Sequence, residues 1–189
     1  MRTFRTSIAG LALFVLAAFA ANDARAQISM GVHGGYNLDA FTDEGAESGA
    51  FLAGGEVRFG VSEFPIVIRP GVTFFFDGID DATAFQANAD VLYEVGVDNA
   101  VFTPYFGVGL AVTHASLSAD FPIVGEVFSA EETDVGASVI GGAAFGMGAV
   151  RPFAQARITL GNHLVFVNED GDGGPGYELA AGLLFRLGQ

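Results

Sequence analysis

Apolar residues recur at every second position through eight separate stretches of the chain. In the first, Ile28, Met30, Val32, Tyr36 and Leu38 alternate with Ser29, Gly31, His33, Gly35 and Asn37. The second sets Phe51, Ala53, Val57, Phe59 and Val61 against Glu56 and Arg58, and the third sets Ile66, Ile68, Val72, Phe74 and Phe76 against Arg69 and Thr73. In the fourth, Phe85, Ala87, Ala89, Val91, Tyr93 and Val95 face away from Gln86, Asn88, Asp90 and Glu94; in the fifth, Phe102, Phe106, Val108, Leu110 and Val112 face away from Thr103, Tyr105, Gly107 and Gly109. The sixth places Val135, Ala137, Val139, Ala143 and Phe145 opposite Asp134, Ser138 and glycines. The seventh places Ala154, Ala156, Ile158 and Leu160 opposite Arg151, Gln155, Arg157 and Thr159, and the eighth places Tyr177, Leu179, Ala181, Leu183, Phe185 and Leu187 opposite Glu178 and Arg186. Successive side chains of a strand point to opposite faces, so this period of two predicts eight β-strands, each with one apolar face.

Ahead of the first strand, Arg2 and Arg5 precede an apolar run from Ile8 to Ala21, and Ala24-Arg25-Ala26 offers small residues around a cleavage point. That order is the pattern of a secretory signal peptide, and the run is shorter than the roughly 20 residues of a membrane-spanning helix. Residues 1–26 are therefore expected to be removed, leaving 163 of the 189 residues as one domain, 27–189. Without Arg2, Arg5, Arg25 and Asp23 the mature part keeps five arginines, no lysine and 21 carboxylates, a net charge of −16. So acidic a chain is not expected to bind nucleic acid, whose phosphates need cations to neutralise them. Cysteine is absent, so disulfides and thiolate metal sites are excluded.

Charge also tests the strand register. All five mature arginines (Arg58, Arg69, Arg151, Arg157 and Arg186) fall on the face opposite the apolar one, together with Glu56, Asp90, Glu94 and Glu178. A soluble sandwich or lipocalin-like barrel, the competing architecture, would turn its apolar face inward and its charges to water. An antiparallel up-and-down transmembrane barrel reverses that arrangement, with hydrocarbon outside and polar groups within. The connections agree with this, because residues 39–49, 77–83, 115–133 and 162–176 read as long acidic or Gly-rich loops, whereas 62–64, 98–100 and 146–149 read as tight turns. Long outer loops and short inner turns are the asymmetry of such barrels. Eight strands enclose only enough room for side chains, so the nine charged residues are expected to form one ionic network filling the interior.

With Thr103-Pro104-Tyr105-Phe106-Gly107-Val108-Gly109-Leu110 and the final strand, the mature chain resembles the superfamily of small eight-stranded outer-membrane β-barrels that includes OmpA-like and OmpX-like proteins. The resemblance implies a location in a bacterial outer membrane, contact with outer-membrane lipid, and a monomeric barrel. It also implies an assembly signal in the last strand, carried by Gly182, Phe185 and Leu187 and read by the outer-membrane assembly machinery. The chain stops with that strand, so no periplasmic wall-binding domain is expected.

Three further chemistries can be read from the residues. His114-Ala115-Ser116, with Glu126 downstream, has the residue types of a nucleophile, its base and an orienting carboxylate. It is similar to the His-x-Ser of outer-membrane lipid A deacylases, although no oxyanion-hole donor is evident. Glu169, Asp170 and Asp172 stand in an oxygen-rich, Gly-bent segment that suits a divalent cation such as Ca²⁺ but lacks the full twelve-residue ligand pattern. A narrow porin-like channel is the third. The reading adopted is a non-enzymatic integral outer-membrane protein without a cofactor, in a structural role or offering its acidic loops to an extracellular ligand.

Overall fold

Eight antiparallel strands are hydrogen-bonded in chain order, and the last pairs back onto the first to close a barrel. They are β1 (Gln27–Asn37), β2 (Ala50–Gly60), β3 (Ile66–Phe76), β4 (Ala82–Glu94), β5 (Phe102–Phe121), β6 (Glu126–Phe145), β7 (Val150–Leu160) and β8 (Gly176–Leu187). The computed structural model describes residues 27–38, 49–61, 64–76, 82–96, 101–121, 126–146, 148–160 and 175–187. Residues 1–26, assigned above to a signal peptide, and most of the four long connections lie outside them.

Closure satisfies every strand edge at once, the condition under which a sheet can leave water. Alternation then sorts the side chains. Val32, Val108, Leu110, Val139 and Leu179 stand on the outside more than half exposed, while Arg58, Arg69, Gln86, Asp90, Arg157 and Glu178 are buried inside.

The outer face is further organised by aromatic pairs at opposed positions of neighbouring strands. Tyr36–Phe51 and the run Phe74–Phe85–His114 gather toward the long connections; Tyr93–Phe106 and Phe102–Phe145 gather toward the short turns. On β4 eight residues separate Phe85 from Tyr93, roughly 26 Å along a strand, or roughly 20 Å along the axis at a tilt of about 40°. Two aromatic girdles at that separation fit a band of hydrocarbon about 25 Å tall.

Two expectations need correction. First, residues 115–133 are not a loop throughout: β5 runs to Phe121 and β6 starts at Glu126, paired as far as Phe121↔Glu126. Pairing with β4 ends at Leu117 and pairing with β7 ends at Ala137, so this hairpin continues past its neighbours as a two-stranded ribbon. There the two strands pair only along their facing edges, an arrangement that needs no lipid-facing apolar side, so the alternation that marks membrane strands is not a guide to its length.

Second, the interior is not ionic from end to end. Ala50, Leu52, Phe75, Ala84, Ala115 and Ala180 form an apolar cluster in the strand halves nearer the long connections. Val67, Leu92, Tyr105 and Ile140, with Ala144, Phe153 and Leu184, do the same nearer the short turns. These residues share the inner face with the charges, and Glu56, Arg58, Arg69, Asp90, Arg157 and Glu178 fill the space between them.

The three strand prolines sit where a ladder stops. The β2–β3 ladder skips the rungs that would hold Arg69 and Pro70. The β6–β7 ladder ends at Phe153, one residue short of Pro152. Pro104 lies one rung past the end of the β4–β5 ladder, where its carbonyl still accepts from the Val95 N–H at 2.9 Å. A missing donor costs least at such places.

Candidate functional site: a chain of ion pairs inside the barrel

Six charged side chains alternate in sign along one continuous path. Arg58 Nε donates to Glu56 Oε1 at 2.6 Å, and the other oxygen of Glu56 lies 3.4 Å from Arg69 Nη1. Arg69 Nε donates to Asp90 Oδ2 at 2.9 Å; Arg157 approaches the same carboxylate through Nη2, at 2.8 Å. Arg157 Nε then lies 3.7 Å from Glu178 Oε2. Three cations and three anions balance.

The strands dictate most of this order. Glu56 and Arg58 are two apart on β2 and so share a face, Arg69 and Asp90 are opposed across β3 and β4, and Arg157 and Glu178 are opposed across β7 and β8. Glu56 and Arg69 meet across the neighbouring strands β2 and β3, and two further links cross the lumen: Asp90 on β4 meets Arg157 on β7, and Arg69 on β3 donates to the Gln155 side-chain oxygen on β7. Those bridges tie opposite walls together, which adjacent pairing cannot do.

Neutral partners complete the layer. Arg58 stacks over the rings of Tyr105 and Phe153, its carbon 4.8 and 5.0 Å from their centroids. Tyr105 donates to Gln155 at 3.3 Å, Arg157 donates to the Ser138 hydroxyl, and His33 Nε2 lies 3.3 Å from the Thr73 hydroxyl. Two glycines make room for the acids. A Cβ at Gly109 would stand 1.9 Å from Asp90 Oδ1, and one at Gly31 would stand 2.7 Å from Glu56 Cγ. Glycines that alternation alone marks merely as not apolar are the recesses into which buried carboxylates fold.

The other three charges of the expected network stand apart from it. Glu94, Arg151 and Arg186 are only partly buried, at the turn-side end, and among the described residues none of them forms an ion pair. Arg151 donates to Thr103 at 2.8 Å. They line a turn-side cavity together with Val67, Leu184 and Arg58, the end member of the ion-pair chain.

Apolar clusters above and below a balanced ionic layer hold the lumen shut in two ways, by packing and by fixed charge. An ion moving through would have to break bonds such as Arg69–Asp90 that cost several kcal/mol to open in a low-dielectric interior. Planar-bilayer recordings of the purified barrel are therefore expected to show no discrete conductance steps; regular unitary steps would contradict a filled lumen.

The residues read as a hydrolytic trio are not brought together. His114 is opposed to Thr133 and Ser116 to Glu131, whereas Glu126 pairs with Phe121, five residues farther along the ribbon and roughly 16 Å away. His114 Nδ1 is 2.9 Å from the Thr133 hydroxyl and its ring lies 5.4 Å from that of Phe85, which places it in the aromatic girdle. The cation candidates Glu169, Asp170 and Asp172 lie outside the described residues. Of the assembly residues, Phe185 and Leu187 point outward, while Gly182 faces inward at the β1–β8 seam opposite His33.

No family model and no curated protein matches the sequence. Solved structures do match the fold. Neisserial surface protein A is 15% identical, with a TM-score of 0.61 over 86% of this chain and 96% of its own. The N-terminal β-barrel domain of OprF from Pseudomonas aeruginosa is 13% identical, with a TM-score of 0.57 over 86% of this chain and 100% of its own. The attachment invasion locus protein Ail of Yersinia pestis is 12% identical, with a TM-score of 0.52 over 87% and 99%. With its closed up-and-down topology, the chain has the fold of the small eight-stranded outer-membrane β-barrels.

Proposed function

We propose that residues 27–189 form a non-enzymatic, monomeric integral protein of a bacterial outer membrane, exported by residues 1–26, that serves envelope integrity or presents its acidic loops to a partner outside the cell. The observation that carries this reading is the reversal of faces: a continuous apolar exterior between two aromatic girdles, with six charges buried at the axis. An apolar surface of that extent far exceeds the patches that soluble monomers expose. Short turns then face the periplasm and long connections the exterior. In the sequence those connections carry Asp39, Asp43, Glu44 and Glu47, then Asp77, Asp80 and Asp81, then Glu169, Asp170 and Asp172. A dense acidic rim suits a basic partner or divalent cations, attracted over about one Debye length.

The membrane reading predicts heat-modifiability. Protein refolded in detergent should migrate differently on a gel before and after boiling, and should precipitate when detergent is withdrawn. A product that remains monomeric and soluble without detergent would sink the proposal. For the surface role, a pull-down with the acidic loops intact should capture a partner that the loop-deleted barrel loses.

A further inference from the structure

At the turn-side end of the barrel a cavity of about 50 Å³ opens inside the wall, lined by Arg58, Arg151, Arg186, Glu94, Ser29 and Gln27 among others. A cavity needs roughly 10–15 Å³ to hold one water, so this space has room for a small polyatomic ion as well as for water.

The charge around it is unbalanced. Three guanidinium groups face it against one carboxylate, and Glu56 already binds the Nε of Arg58. Two buried donors on these arginines, Arg58 Nη1 and Arg151 Nε, have no hydrogen-bond partner. Arg58 is 3% exposed, so its unpaired donor can be reached only by what enters the cavity. Buried donors without partners cost free energy, and cationic ones cost most. Among the described residues the other two lumen arginines, Arg69 and Arg157, are matched by acids. Here the chain supplies an excess of cation and vacant donors around a hollow of defined size.

An approach exists as well. A second hollow of about 190 Å³ adjoins the first, sharing Gln27, Gly60, Val67 and Glu94, and continues past Phe64 and Pro65 at the β2–β3 turn. It connects the site to the turn-side surface.

We propose that this cavity is a binding site for a phosphate-type oxyanion, held by Arg58, Arg151 and Arg186. Arg58 and Arg151 donate to the anion from within; Arg186 closes the charge at the mouth, and Glu94 opposes binding and sets its strength. The chemistry is shared by free inorganic phosphate and by the headgroup of an anionic phospholipid. The inference stands on closure of the barrel and goes beyond the membrane and surface roles proposed above.

The test uses the refolded chain in nanodiscs of zwitterionic phosphatidylcholine, titrated with inorganic phosphate against chloride at matched ionic strength and followed by calorimetry and ³¹P resonance. Saturable binding is expected, weakened at least about tenfold in the Arg151→Gln, Arg186→Gln double variant, where a charge-assisted bond and the cationic mouth are both lost. Glu94→Gln should tighten it. Heat-modifiability of every variant reports separately on the barrel. Should binding be absent in phosphatidylcholine but appear, with the same arginine dependence, when phosphatidylglycerol is included, the anion is a lipid headgroup and the site stands. No saturable response in either membrane, or one indifferent to both arginines, overturns it.

Discussion

Replacing Asp90 by Asn is expected to lower the stability of the folded barrel by roughly 3–5 kcal/mol, the cost of leaving buried charge uncompensated. Asp90 is 1% exposed and its Oδ2 lies 2.8 Å from two guanidinium groups, those of Arg69 and Arg157. Asn keeps the volume and removes the charge, so the loss is electrostatic and not a cavity. Urea unfolding of refolded protein in one detergent would read it as a shift of midpoint. Glu94→Gln, outside the chain of ion pairs, should move that midpoint little. A sharper check follows from the alternation of sign. Removing Arg69 together with Asp90 leaves two complete pairs, Arg58–Glu56 and Arg157–Glu178, so Arg69→Met added to Asp90→Asn should recover part of the loss. If the double variant is less stable than Asp90→Asn by the full cost of Arg69→Met alone, the two side chains are not coupled and the ionic chain is only a matter of proximity.

This prediction uses residues that the sequence brought to one face but could not connect. Period two settles which side of the wall a residue occupies, and for Glu56, Arg58, Arg69, Asp90, Arg157 and Glu178 that was enough to place them inside. Which of them meet across the lumen depends on how far each strand is staggered around the barrel, and stagger leaves no trace in alternation. The Asp90–Arg157 and Arg69–Gln155 bridges were therefore invisible, as was the exclusion of Glu94, Arg151 and Arg186.

The apolar clusters escaped for a related reason. Hydrocarbon forbids polar groups outside, so the outer face is legible; the inner face tolerates anything that packs, and Leu52, Phe75, Leu92, Ile140, Phe153 and Leu184 there look like interruptions of a pattern. Ala180 of the last strand is another: it packs beside Leu52 and Phe75 in the loop-side cluster. The ribbon of β5 and β6 went unread because the signal it lacks, an apolar face, is needed only in lipid.

Gly182→Ala separates two explanations of a residue that both sequence and structure single out. Read as part of the last strand's assembly signal, Gly182 matters only to the machinery that recognises it. The geometry adds another demand, because a Cβ at this position would stand 2.1 Å from the Val32 carbonyl oxygen and 2.9 Å from His33 Cα, both in the backbone of β1, and 2.7 Å from Phe153 Cε1. Gly182 lies on the seam that turns an open sheet into a barrel, where β8 meets β1. A flexible side chain could yield to one methyl group, but here β1 itself must move, which costs about 3 kcal/mol or more at the upper end of overpacking and is felt along the closing ladder. The variant is expected to refold poorly in detergent with no assembly machinery present, giving a reduced heat-modifiable fraction. Phe185→Ala should behave in the opposite way: its side chain points outward, where detergent replaces lost contacts, so refolding should be near normal and any defect confined to assembly in cells. Normal refolding of Gly182→Ala in detergent, coupled with failed assembly in the cell, would reject the close approach at the seam as the reason for glycine and leave recognition as its role.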